Sequence, residues 1–413
     1  MRAGRRDLIR DLNRTLVLNL VREQPRISRA QIARRTGLSP STVTSITASL
    51  LADELLVEDD SVSERGERSG SVGRPATMLR IDPAARHVAG VKLAPASLTA
   101  VVTDLDAEPQ ALVTLPHAES ATFEQIIELL GEAMAQLRAR AGLDDERLLG
   151  LGVGVPGSVD PLTADVRRSP LPGWVEADLA GTLERRLGVP VLIDNDVNTF
   201  TVAEHLYGAG RGVDDLLVVT IGRGIGMGAV VDGAIARGSS GALGEIGHIG
   251  SVAGGHRCWC GKRGCLEAEA AEPAIVREVL SITGVSVSPD DMAEAAADDE
   301  RVASILETAG RRIGVAVGMA ATLLDPARVV VSGEGVRLGP AYTGGIRDGI
   351  AASLLPGAEP ELVFEPWGDE AWARGAASLV LRELFTPDHL RAGRRPAAER
   401  TKGTGERTPT VAR

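Results

Sequence analysis

The sequence predicts an α/β protein of two unlike parts, a short helical N-terminal head and a long body in which strands and helices alternate. Three observations carry this. The chain has 413 residues, more than one compact core holds, so two or three domains are expected. From residue 88 onward, apolar runs with strand texture alternate with segments of helical period. The charge is also divided. Residues 1–50 hold ten arginines and three acidic residues, a net +7, whereas residues 81–413 are net −15 within an overall −11. A basic head on an acidic body directs any polyanionic partner to the head.

In the head, Leu12, Leu16 and Leu20 recur at helical spacing and predict a helix over residues 8–23, stopped by Pro25. Ser28-Arg29-Ala30-Gln31 is a capping-box pattern that opens a short helix ending at Thr36. Gly37 supplies a turn that glycine makes at no steric cost. Ser39 then caps a third helix with Pro40 at its first position, where a missing N–H is harmless. Val43, Ile46 and Leu50 form that helix's inward stripe, leaving Ser41, Thr42 and Ser45 outward. Residues 55–58 and 78–82 are strand candidates joined by a polar stretch ending Gly73-Arg74-Pro75, which fits a wing. Helices, tight turn and hairpin together read as a winged helix-turn-helix over residues 1–80, rather than a plain three-helix bundle. The expected partner is operator DNA, with Arg29, Arg34, Arg35, Ser39, Ser41, Thr42, Thr44, Ser45 and Arg74 as candidate contacts.

In the body, strands are expected over 88–93 and 98–105, a helix over 123–140, and a buried strand over 148–155 running into Pro156-Gly157. Helix 179–187, strand 189–193 and helix 199–207 follow. Strand 216–221 continues into a glycine-rich turn and a hairpin. Helix 301–324, strand 329–331 and a final helix over 370–384 complete the body. Residues 386–413 are rich in Arg, Pro, Thr and Gly without apolar period, and read as a disordered basic tail. No apolar run reaches membrane-spanning length and the arginine-rich start lacks a signal core, so the expected location is cytoplasmic, without membrane contact.

The chemistry concentrates in two places. Gly244-Glu245-Ile246-Gly247-His248 precedes Cys258-Trp259-Cys260 and Cys265-Leu266-Glu267. All three cysteines of the chain fall within eight residues, which is not a secreted disulfide framework. One imidazole and three thiols are the ligand set of a closed tetrahedral zinc site: Cys258, Cys260 and Cys265 with His248, or with His256 as the rival fourth ligand. Elsewhere, Asp194-Asn195-Asp196 ends a strand, where open α/β sheets place ligand groups. A carboxylate beside an amide suits a polyol, and with Gly157, Glu245, His248 and Glu267 it outlines a sugar cup.

On these residues the chain resembles the repressor, open-reading-frame and kinase (ROK) family across residues 10–385. The motifs are the helix-turn-helix with Gly73-Arg74-Pro75, Gly154-Val155-Pro156-Gly157, Leu171-Pro172-Gly173-Trp174, Asp194-Asn195-Asp196 and the His/Cys segment. The resemblance implies a two-lobed, actin-like body of the sugar kinase type over 81–385, with lobe 1 at about 81–198 plus 369–385 and lobe 2 at about 199–368. It implies that Asn195, Asp196, Glu245, His248 and Glu267 contact sugar hydroxyls, His248 serving metal and sugar together. Asp196 matches the base of the kinase members.

That family joins kinases and sugar-responsive repressors. Laid without gaps, the kinase phosphate motif Asp-x-Gly-Gly-Thr falls on Lys92-Leu93-Ala94-Pro95-Ala96. Lysine replaces the aspartate near magnesium, and proline offers no N–H to phosphate. Arg223 stands in the second phosphate segment where kinases have threonine, and proline stands at 170 where the family often has a sugar-binding asparagine. The sequence therefore predicts a regulator rather than an enzyme. Its effector is a monosaccharide or sugar phosphate, and its assembly a homodimer or homotetramer.

Overall fold

The structure is a computed structural model that describes residues 2–24, 26–59, 77–144, 147–171, 174 and 177–386. The wing stretch with Gly73-Arg74-Pro75, the expected stop at Pro25, the Pro172-Gly173 pair and the expected tail beyond 386 lie outside the described residues.

The head consists of α1 (Arg2–Glu23), β1 (Ile27–Ser28), α2 (Arg29–Thr36), α3 (Pro40–Ala52), β2 (Leu56–Asp59) and β3 (Met78–Ile81), with β1 and β2 antiparallel on either side of β3. The local signals act as expected. The Ser28 backbone N–H donates to Gln31 Oε1 at 2.8 Å while the Gln31 N–H donates to Ser28 Oγ, closing the capping box. Gly37 takes φ 71°, and Ser39 caps α3 above Pro40. Of the three leucines that mark α1, Leu20 is buried beside Val17, Leu18 and Val21, while Leu12 and Leu16 are exposed.

The first lobe contains β4 (His87–Leu93), β5 (Ser97–Thr103), β6 (Pro109–Pro116), α4 (Phe123–Ala141), β7 (Leu148–Val155), the small pair β8 (Ser158–Val159) and β9 (Val166–Arg168), α5 (Leu179–Leu187) and β10 (Val191–Asn195). Its sheet runs β10-β7-β4-β5-β6, with β10, β7 and β4 parallel. After α6 (Asp196–Leu206), the second lobe contains β11 (Leu216–Ile221), β12 (Ile225–Val231), β13 (Ala234–Ala236), α7 (Leu266–Ala270), α8 (Glu272–Thr283), α9 (Met292–Asp298), α10 (Glu300–Leu324), β14 (Arg328–Ser332), α11 (Pro340–Ser353) and β15 (Glu361–Glu365). Its sheet runs β13-β12-β11-β14-β15, with β11, β14 and β15 parallel. Each lobe thus closes a parallel core with an antiparallel edge, the repeated arrangement of the actin-like fold. Among the described residues, no helix is long and apolar enough to cross a membrane.

The last helix, α12 (Asp369–Leu384), ties the parts together. Ala373, Ala376 and Ala377 are fully buried, and Gly90 and Gly152 leave room for its backbone against β4 and β7. Its far end joins the head core, where Asn19 Nδ2 donates to the Phe385 carbonyl at 2.9 Å and the Arg22 guanidinium lies 4.3 Å over the Phe385 ring. Head and first lobe therefore share one hydrophobic cluster. The unbroken α6 crosses residues 198–199, the expected lobe boundary, and packs on α12 through a Phe200–Trp372 stack at 4.9 Å.

Candidate functional site

Two strand ends build the floor of the cleft. β7 runs into Gly157, whose φ of 105° and closeness to the Arg168 carbonyl admit no side chain. β10 ends at Asn195, which caps α6 by accepting the Asn198 N–H, while Asn195 Nδ2 donates to the Gly157 carbonyl at 2.7 Å. The expected helix start at residue 199 is corrected to Asp196, because Asn195 is the cap. The two aspartates then part company. Asp194 is buried and faces away, held by Arg237 at 2.6 Å and by Asn198 Nδ2 at 2.9 Å. Asp196, in the first turn of α6, faces the cavity. Burial pushes its carboxyl up to about 6, against the pull of the Lys92 ammonium.

The second-lobe wall is the His/Cys segment. Ligand atoms of His248, Cys258, Cys260 and Cys265 all lie within 4.8 Å of one another. Zn–S bonds of about 2.3 Å and Zn–N bonds of about 2.0 Å give tetrahedral edges of roughly 3.8 Å (S···S) and 3.5 Å (S···N). The Cys260–Cys265 sulfurs are 3.6 Å apart, and Cys258 Sγ lies 3.5 Å from His248 Nδ1. Donor chemistry and spacing both fit a metal ion. Burial and neighbouring thiols push the Cys265 thiol up to about 12, a crowding that a bound dication would reverse. The rival His256 is placed elsewhere, half-exposed with Nδ1 3.0 Å from Glu269 Oε2.

His248 points its other nitrogen, Nε2, toward Glu245 Oε2 at 3.7 Å, so one imidazole spans the cluster and the cup. Glu245 is held above the usual carboxylate range by burial and by the charges of Asp196 and Glu267. Glu267 accepts the Trp259 indole N–H at 2.7 Å and the Ile225 N–H at 3.2 Å. Asn195, Asp196, Gly157, Glu245, His248 and Glu267 thus line one cavity of about 510 Å³. Sequence reasoning does not single out Trp259, Trp372 or Glu334, which line it too. Trp259 is legible from its place between two cysteines. Trp372 and Glu334 carry no local signal.

The rest of that cavity lies on the ground of the kinase phosphate loops. Residues 92–97 form one side, with Lys92 Nζ 4.4 Å over the Trp372 ring, and Gly222, Arg223 and Gly224 form another. Pro170 also lines it, so the proline does face the cleft. The Glu334 carboxylate packs against Gly222.

In the head, Arg34 and Arg35 are exposed at the end of α2, and Ser41, Thr44 and Ser45 are exposed on α3. Ser39 is occupied as the cap, with Thr42 Oγ1 at 2.8 Å. Arg29 is turned back onto Glu58 at 2.8 Å and Thr47 at 3.1 Å, a bracing position rather than an outward one. Arg74 lies outside the described residues. Replacing Arg34 or Arg35 by Ala should weaken binding to every duplex and flatten the salt slope by about one unit per lost phosphate contact. A salt titration of DNA binding checks this, and an unchanged slope refutes it.

Comparisons with known proteins agree with the two-part fold. The ROK family pattern matches residues 88–383, and a winged helix-turn-helix DNA-binding pattern matches residues 10–57. The DNA-binding transcriptional dual regulator NagC of Escherichia coli (strain K12) is 31% identical over 393 residues, covering 92% of this chain and 95% of its own. The xylose repressor of Bacillus subtilis (strain 168) is 26% identical over 375 residues, covering 90% and 96%. Among solved structures, a ROK family transcriptional regulator homologous to E. coli Mlc superposes with a TM-score of 0.79 at 26% identity, covering 92% of this chain and 97% of its own. A ROK hexokinase from Thermus thermophilus superposes with a TM-score of 0.63 at 30% identity, covering 72% and 99%. With the family pattern filling the two-lobed body and similarity to a transcription regulator running through the head as well, the chain belongs to the ROK family.

Proposed function

We propose that the protein is a sugar-responsive transcription regulator, a repressor in its resting mode, whose body binds a sugar and does not turn over ATP. One observation carries this reading: the cup is complete while the phosphate ground has lost its donors. Asn195, Asp196, Glu245, His248 and Glu267 converge on one cavity, and its far side presents Lys92, Pro95 and Glu334. Phosphoryl transfer depends on positioned metal and phosphate donors. A lysine in place of a magnesium carboxylate and a proline without an N–H both oppose it.

The head (residues 1–80) binds operator DNA through Arg34, Arg35 and the outward face of α3, as a cytoplasmic homodimer or homotetramer. The body (residues 81–385) holds one zinc per chain on His248, Cys258, Cys260 and Cys265. When bound, the metal supplies charge and rigidity to the wall. Ligation through Nδ1 keeps the proton on Nε2, a fixed donor toward a sugar hydroxyl. Two helices support coupling between the sites. α6 starts at Asp196 in the cup, spans about 16 Å and ends beside Tyr207, which lies next to Arg22 of α1. α12 starts near Trp372 at the cavity and ends at Phe385 beneath the same Arg22. A sugar that favours one cleft closure can thus bias the head, and a coupling of about 1–3 kcal/mol changes operator affinity roughly 5- to 150-fold.

The test uses a duplex recovered by selection from random sequence on the full chain. Its affinity is measured against a panel of sugars beside an ADP-release assay. The expected result is a sugar-dependent change in affinity that Asp196→Asn weakens, with no ADP release. Sugar-dependent ADP release abolished by Asp196→Asn would instead establish a kinase carrying a DNA-binding head, the reading that the retained Asp196 and glycine segment favour.

A further inference from the structure

We infer that the ligand cavity takes a neutral disaccharide or comparably sized glycoside, whose second ring fills the ground where kinases hold the nucleotide phosphates. This rests on the sugar reading above and names the ligand class for the same site. The first argument is volume. A single pyranose occupies roughly a third of a cavity of this size, which falls in the range of pockets that enclose larger ligands. The cavity measures about 510 Å³ and is continuous from Glu245 and His248 to Pro273 and Glu334.

The second argument is the character of the far half. Ala94, Pro95 and Ala96 give it an apolar wall, with Trp372 behind it, stacked on Phe200 and covered by Lys92. Trp372 is 6% exposed and its indole N–H has no hydrogen-bond partner among the described residues. Ser97, Arg223 and Glu334 stand around that wall as donors and acceptors. An apolar surface with a few polar groups fits a second sugar ring, which has an apolar face and a rim of hydroxyls.

The third argument is charge. Four carboxylates line the cavity (Asp196, Glu245, Glu267 and Glu334) against two cations, Lys92 and Arg223. Both cations already face acids. Lys92 lies within Coulombic reach of Asp196, and Arg223 is 3.9 Å from Glu119 and within reach of Glu272. Among the lining residues a sugar phosphate would therefore meet a net negative field and cations that already face acids, while Arg168, behind the lining, is held on the Cys260 carbonyl. The anionic member of the effector pair expected from the sequence is accordingly disfavoured.

The experiment is calorimetric titration of the full-length, zinc-containing protein with cellobiose, maltose, xylobiose and N,N′-diacetylchitobiose. Glucose, xylose, N-acetylglucosamine and N-acetylglucosamine 6-phosphate are run beside them. One disaccharide should bind at least tenfold more tightly than its own monosaccharide and than the phosphate. Ala94→Trp and Ala96→Trp, each placed in the far half, should remove that advantage and leave monosaccharide binding within twofold. Metal content and melting temperature confirm that the variants fold. A monosaccharide or the phosphate binding as tightly as any disaccharide overturns the inference, as does a disaccharide preference that survives both tryptophans. Silence from every sugar, in protein that still binds its selected duplex, refutes the sugar reading itself and this inference with it.

Discussion

Cys260→Ser is expected to release one zinc per chain and to cost the protein its ligand response while sparing the DNA-binding fold. The physical reason is how little else holds the wall. Residues 256–265 are kept in place by a few backbone bonds, such as Cys258 N–H to the Lys262 carbonyl and Gly264 N–H to the His256 carbonyl. Their other anchors are single side-chain contacts: Trp259 on Glu267, Lys262 on the His248 carbonyl, His256 on Glu269 and, from β9, Arg168 on the Cys260 carbonyl. A structural zinc contributes folding free energy outright, on the order of 10 kcal/mol for isolated zinc fingers and less where a scaffold is already formed. Without it His248, Glu245 and Glu267 lose their common alignment, and sugar affinity should fall at least tenfold. The head core contains no residue of this segment, so affinity for DNA should change little. Elemental analysis with duplex binding decides the matter. His248→Ala should also lose the metal, whereas His256→Ala should keep it. Stoichiometric zinc retained in Cys260→Ser would sink the assignment.

Glu204→Gln is expected to raise the stability of the body at pH 8 by about 2–3 kcal/mol and to do almost nothing at pH 4. Glu204 is 3% exposed on α6, and burial, then the charge of Glu365, push its carboxyl up to about 7. Its protein hydrogen bond comes from the Ala209 N–H at 2.9 Å, which a glutamine oxygen can equally accept. Arg374 borders the same small cavity but is directed to the Ala107 carbonyl and Glu108. Because the folded state binds this proton more tightly than the unfolded chain, stability falls as pH rises. The loss begins near the ordinary carboxyl value of about 4.5 and is complete above about 7, each pH step of one within that window costing about 1.4 kcal/mol at most. Urea unfolding of both proteins at the two pH values measures this. Equal midpoints at pH 8 would show that Glu204 is not charged in a dry site.

Much of the fold is legible in the sequence because its signals are local. The capping box of Ser28 and Gln31, Gly37 in its left-handed turn and Ser39 before Pro40 act within four residues. β11 and α5 are legible from apolar period alone. Helix α11 is not, because Gly344, Gly345 and Gly349 lower its intrinsic propensity. Those glycines make sense only beside α10, where a side chain at 345 or 349 would strike the backbone of Glu307 or Arg311. Edge strands β6 and β15 carry no clear local signal either, since their burial comes from neighbours far away in sequence.

The site divides in the same way. By itself the sequence determined the donor sets: three clustered thiols and an imidazole of the kind that holds a metal, an acid–amide pair at a strand end of the kind that suits a polyol, and a phosphate loop without its aspartate and glycines. These are properties of residue chemistry and short spacing, and they survive any arrangement of the rest. Tertiary structure alone decided which of two aspartates faces the cavity, since Arg237, forty-three residues on, takes Asp194 and leaves Asp196 to the cavity. It decided between two histidines, because Glu269 holds His256 while the turn at Glu245 delivers His248 Nδ1 to the thiols. It turned Arg29 inward onto Glu58 and Thr47. In each case a buried or half-buried polar group went to the partner that best offsets its desolvation, and that partner is set by the packing of distant elements rather than by sequence neighbours.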